Sequence, residues 1–234
     1  MNKLTDNLVQ KLTEIFKERL TSVILYGSCA VDNCNNNFSD INTIVVIDEL
    51  NATDLKSANP ALKEWMKTKN PLPLFMDKQE WLNSCDVYPI EYSDIKARYR
   101  ILYGENVVEF LEITNANLRL QCEHEVKNLL IKLRQTYLGN SNDSKSIENL
   151  IKMSSKSFFA LFRAVLRLTE QVVPPTNQEV IDKLAEKINI DKDIFMQILE
   201  FRVNSKAIAK NEFEAVIQKL INSTDLILKY VDKI

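Results

Sequence analysis

Two apolar runs joined by a glycine–serine turn and a polar loop constrain this chain most. Val23-Ile24-Leu25-Tyr26 runs into Gly27-Ser28, and after eleven further residues Asp40-Ile41-Asn42 leads into Ile44-Val45-Val46-Ile47. Both runs are rich in β-branched residues and bounded by turn formers, so each reads as a strand. Side chains alternate along a strand, which aims Asp40 and Asn42 to the same face. Glycine has no Cβ to keep backbone N–H groups from a phosphate. Two oxygen donors on one strand face suit a hard cation. Gly27 and Ser28 are therefore the candidate phosphate holders, and Asp40 and Asn42 the candidate cation ligands. Asn42 offers a carbonyl oxygen but no charge.

Only three glycines occur in 234 residues, at Gly27, Gly104 and Gly139, so most of the chain is expected to be helical. Hydrophobic content of 45% and charged content of 26% are those of an ordinary globular protein. The net charge of −2 gives no strong signal for nucleic acid. The first half is acidic and the second mildly basic, a polarity that suits a triphosphate held between them. No run approaches a membrane span, and the N-terminus is an amphipathic helix rather than a secretory leader, so a cytoplasmic protein with reduced thiols is expected. Cys29, Cys34, Cys85 and Cys122 match no zinc spacing.

Periodicity predicts a helix over 2–19, strands at 23–26 and 42–47, a helix over 52–69, a strand at 72–76, a short helix at 78–83 and a fourth strand at 87–92. This is a small mixed sheet with helices on one side. From 116 onward the pattern is helical: 116–138, 147–172, 177–188, 192–202 and 212–233, with a polar linker at 139–145. The fold class is thus α+β, an α/β domain over 1–112 followed by an all-α bundle over 113–234.

Gly27-Ser28, followed at the right distance by Ser39-Asp40-Ile41-Asn42 and a hydrophobic strand, resembles the nucleotidyltransferase superfamily of the DNA polymerase β type. Glu91, in Pro89-Ile90-Glu91-Tyr92, is the match to that family's third carboxylate, and Leu102-Tyr103-Gly104 resembles the sequence that closes its domain. The helical half is similar to the all-α domain that accompanies many bacterial relatives. The resemblance implies a nucleoside triphosphate bound with Mg²⁺ in an interdomain cleft, and transfer of a nucleoside monophosphate to a hydroxyl acceptor. Asp40, Asn42 and Glu91 would be the metal-ligating and catalytic residues, with Glu91 as third ligand or base, and Gly27 and Ser28 would hold phosphate. Asn42 stands where the family has an aspartate. A neutral ligand cannot bridge two ions ~3.5–4 Å apart as a carboxylate does. A slow enzyme follows, or alternatively a catalytically inactive binding or regulatory module, with a protein partner or as a homodimer.

Some further residues invite a role. Arg163 and Arg167 share a helix face, and Arg163 is a candidate to reach a triphosphate, since arginine grips phosphate bidentately, or else pairs with a carboxylate of the same bundle; Arg134 is a candidate of the same standing. Arg119 and His124 have the spacing of the ribonuclease motif of HEPN helical domains, although a solvated histidine is the plainer reading. Lys96, Arg98 and Arg100 alternate as on a strand and would line a groove for an acceptor strand or the pyrophosphate, or else a solvated edge, where charges deter aggregation. Tyr26 and Trp65 read as core rather than as base-stacking residues.

Overall fold

A computed structural model describes residues 3–31, 40–170 and 172–234. The asparagine-rich loop, with Cys34 and Ser39, lies outside the described residues. The chain divides into two compact units, Met1–Ile113 and Thr114–Ile234.

The first unit carries α1 (Lys3–Phe16), β1 (Leu20–Tyr26), α2 (Ser28–Val31), β2 (Asn42–Ile47), α3 (Ala52–Ala58), β3 (Leu74–Asp77), α4 (Lys78–Asn83), α5 (Pro89–Ala97) and β4 (Tyr99–Gly104). The sheet order is β3-β2-β1-β4. β1 is antiparallel to both β2 and β4, while β2 and β3 are parallel. In register, Tyr26 lies opposite Asn42 on one side and Tyr99 on the other.

Both faces of this sheet are covered, not one. Val23, Leu25, Val45 and Ile47 pack with Leu8, Leu12 and Phe16 of α1 and with Trp65. Ile24, Ile44 and Val46 pack with Trp81 of α4, Tyr92 and Ile95 of α5, and Val107 and Val108. The unbroken run Ile44-Val45-Val46-Ile47 carries this physically, because a strand buried on both faces has no polar alternation. A register shift in β4 lets Leu102 and Tyr103 join the same face.

Two predicted elements are corrected. The helix over 52–69 ends at Ala58 and continues only as 3₁₀ turns at Asn59–Leu62 and Trp65–Lys67. Pro60 removes a backbone donor and crowds the preceding turn. The strand over 87–92 is instead α5, with Pro89 in its first turn and the Ser93 hydroxyl donating to the Pro89 carbonyl at 2.6 Å. Proline has no N–H for a sheet ladder but suits the first helical position. The strand that closes the sheet is β4.

The second unit is a helical bundle of α6 (Asn115–Asn140), α7 (Ser144–Arg167), α8 (Asn177–Lys187), α9 (Lys192–Phe201) and α10 (Phe213–Val231). Its centre is aromatic: Phe162 meets Phe158, Phe159 and Phe195 at centroid distances of 5.8, 6.1 and 4.8 Å. The polar linker shrinks to the turn between α6 and α7, where Asp143 caps α7 through the Lys145 N–H. Among the described residues no helix is long and apolar enough to cross a membrane. Cys85 and Cys122 are buried free thiols, and burial pushes the Cys122 thiol up to about 12.

Candidate functional site

β1 ends at Tyr26, and Gly27 turns the chain at φ +81°, a left-handed conformation that glycine adopts without strain. The Gly27 N–H donates to the Arg98 carbonyl at 2.9 Å, and the Gly27 carbonyl accepts from the Ala30 N–H at 3.1 Å. The Gly27 N–H is therefore committed to the fold. Ser28 follows, exposed, as the first residue of α2.

Asn42 opens β2 and stands over this turn. A Cβ added at Gly27 would meet the Asn42 Nδ2 at 3.5 Å, an ordinary van der Waals distance. The same Nδ2 donates to the Asp40 carbonyl at 3.4 Å. With its nitrogen turned to the backbone, the amide leaves its acceptor Oδ1 for a cation. Asp40 is exposed and precedes the strand rather than lying in it. Next to it the Ile41 N–H donates to the Asn70 Oδ1 at 2.9 Å, which anchors the entry to β2. The structure thus brings Gly27 and Asn42 together, with Asp40 joined to Asn42 through its own backbone.

Glu91 arrives by a different route from the one expected. It sits in the first turn of α5, not on a strand, and is exposed. It lines a cavity of about 450 Å³ together with Tyr26, Leu74, Trp81, Tyr88 and Asp94. Tyr26 connects this cavity to the turn, since it precedes Gly27 and pairs in register with Asn42. Burial raises the Tyr26 phenol above its usual range. Trp81 stacks on Tyr92 at 4.7 Å, and burial pushes the Tyr92 phenol up to about 12. Among the described residues no three His, Cys, Asp or Glu side chains are grouped to hold a metal ion.

The cavity escaped sequence reasoning because α5 was read as a strand. Read as a helix, Tyr88, Glu91, Tyr92 and Ile95 fall at i, i+3, i+4 and i+7, one face of one helix, and all four line the cavity. Tyr26 lines it too, rather than serving only the core.

Arg163, Arg119, His124 and Lys96 have structural partners. Arg163 lies in the second unit, where its Nη1 donates to the Asn177 Oδ1 at 2.8 Å. Arg119 bonds Glu123 at 3.3 Å, while His124 is exposed beside Asn128 and Glu125. Lys96 ends α5 and donates to the Leu111 carbonyl at 2.7 Å, so the expected alternation of Lys96, Arg98 and Arg100 along one strand does not form.

No family model matches the chain, and no curated protein matches it. Among solved structures it is similar to the spectinomycin adenyltransferase of Enterococcus faecialis, crystallised with ATP and spectinomycin. The TM-score is 0.57 at 17% identity, over 95% of this chain and 98% of that one. The likeness extends through both units and shows a nucleotidyltransferase-like α+β fold.

Proposed function

We propose that this protein binds a nucleoside triphosphate with Mg²⁺ at the corner formed by Gly27, Ser28, Asp40 and Asn42, and that its transfer chemistry is slow. The observation that carries this reading is that the Asn42 side chain stands over the Gly27 turn, where a Cβ added at Gly27 would meet its Nδ2 at 3.5 Å. It sets the amide that carries the Oδ1 acceptor beside a glycine turn that opens into a short helix. That the similar adenyltransferase was crystallised with ATP supports the choice of ligand.

Mg²⁺ binds through one or two carboxylates together with substrate phosphates. The Asp40 carboxylate and the Asn42 carbonyl fit one such ion and do not supply the charge for two. Bound there, Mg²⁺ would neutralise phosphate charge and act as a Lewis acid. Ser28, exposed beside Gly27, would donate its hydroxyl to a phosphate oxygen. In the transfer step the acceptor hydroxyl oxygen bonds to the α-phosphorus and the bond to the pyrophosphate oxygen breaks. The hydroxyl proton passes to solvent water, and Glu91, on the wall of the neighbouring cavity, is left to that cavity. Metal assistance contributes several kcal/mol, and each ~1.4 kcal/mol is tenfold in rate, so a single ion leaves the reaction slower by orders of magnitude.

Titration calorimetry with Mg-ATP tests this reading. Asn42→Asp adds the missing charge and is expected to tighten Mg²⁺-dependent binding by about tenfold, ~1.4 kcal/mol. Equal, negligible affinity in wild type and variant would overturn it. A second reading, an inactive binding or regulatory module, is favoured by the neighbouring strand. β3 runs parallel to β2 with Leu74 opposite Ile44, and the chain leading into it reads Pro71-Leu72-Pro73. No carboxylate therefore reaches Asn42 from β3. Absence of any transfer by Asn42→Asp, with binding retained, would favour that reading.

A further inference from the structure

We infer that the cavity beside Tyr26 receives the base of the bound nucleotide, and that it prefers a base with an exocyclic amino group. This inference rests on the nucleotide reading above and adds where the ring goes. The cavity, about 450 Å³, is of the size that small-molecule sites have. Its walls are aromatic, with Tyr26, Tyr88 and Trp81 among them. Flat apolar walls suit a ring, and base–aromatic stacking contributes roughly 1–3 kcal/mol per base. Tyr88 is 50% exposed and Leu74 is 50% exposed, so both stand at the opening.

The polar lining decides which end of a nucleotide enters. Glu80, Glu91 and Asp94 line the cavity, and among the described residues no lysine, arginine or histidine does. Carboxylates repel the triphosphate, which is thereby directed to the Gly27 turn. A carboxylate has about four acceptor sites, so it takes an amino N–H even when it already has a partner. Adenine and cytosine present an exocyclic amino donor, whereas uracil does not. Position agrees with this division: Tyr26 is the cavity wall, Gly27 is the next residue, and Asn42 is the register partner of Tyr26. Base and phosphates would then lie next to each other at one strand end, since directly paired residues such as Tyr26 and Asn42 share a face.

The test is calorimetric titration of wild type, Tyr88→Ala and Leu74→Trp with Mg-ATP, Mg-UTP and inorganic tripolyphosphate, after circular dichroism has shown that the variants are folded. Tyr88→Ala removes the stacking ring, and Leu74→Trp plugs the opening; both positions are half-exposed, and the second keeps the test alive should the first not fold. The expected result is a loss of about tenfold or more in ATP affinity in each variant, unchanged tripolyphosphate affinity, and wild-type preference for ATP over UTP. Wild-type ATP affinity in the folded variants would overturn the cavity assignment and leave the Gly27–Asn42 site standing. Binding of neither ATP nor tripolyphosphate by wild type would overturn both.

Discussion

Gly27 and Gly104 both hold left-handed backbone, at φ +81° and +77°, yet their surroundings differ. A Cβ at Gly27 would sit 3.5 Å from the Asn42 Nδ2, whereas a Cβ at Gly104 would fall 2.1 Å from the Thr21 carbonyl oxygen. Gly27→Ala therefore meets only the backbone penalty, about 1–2 kcal/mol. Gly104→Ala adds a collision with backbone, for a total of roughly 2–5 kcal/mol. Chemical denaturation of the two variants should show this order, and the reverse order would contradict the packing. At this scale the sequence was readable where a residue type has one physical use. Glycine before serine at a strand end announced a turn, and an amide in place of a carboxylate announced a missing charge. It was not readable that the Gly27 N–H is spent on Arg98, because that bond joins the ends of β1 and β4, neighbours in the sheet but far apart in sequence.

At the scale of elements, the entry to α3 is held by a charged pair. Asn51 caps α3, Asp54 returns the bond to the Asn51 N–H, and the Arg19 guanidinium grips Asp54 with contacts of 2.6 and 3.2 Å. The hydrogen bond from Arg19 holds the Asp54 carboxyl below its ordinary range, aided by the Asn51 N–H. A depressed carboxyl stabilises the fold at pH values above its unfolded value of about 3.9 and loses that contribution as pH falls through its folded value. Asp54→Asn should therefore lower the melting temperature at neutral pH, and the gap to wild type should close below about pH 4. A gap that persists unchanged at lower pH would contradict the assignment. Elements with one dominant local signal were legible: β2 and α4 lie where their sequences place them. α5 was not, because Val87, Tyr88, Ile90 and Tyr92 alternate like a strand while Pro89 favours a helix start. The proline decides the matter, since it cannot contribute a donor to a central ladder.

For the whole molecule, the division into an α/β unit and a helical unit follows from a change of period after Gly104, visible in the sequence because periodicity accumulates over long segments. The two-sided burial of the sheet was encoded in Ile44-Val45-Val46-Ile47 but is realised by packing partners from α1, α4 and α5, contacts that no local pattern specifies. The cavity was hidden for the same reason: Tyr26, Leu74 and Glu91 are far apart in sequence and meet only when β1, β3 and α5 assemble. The functional account therefore stands on one tertiary juxtaposition, that of Asn42 with the Gly27 turn. The most direct measurement is a crystal structure of the protein grown with Mg²⁺ and a non-hydrolysable nucleoside triphosphate. The account predicts phosphate density beside Ser28, with one cation against Asp40 and the Asn42 carbonyl. A triphosphate seated elsewhere on the chain, or none at saturating concentration, would contradict it.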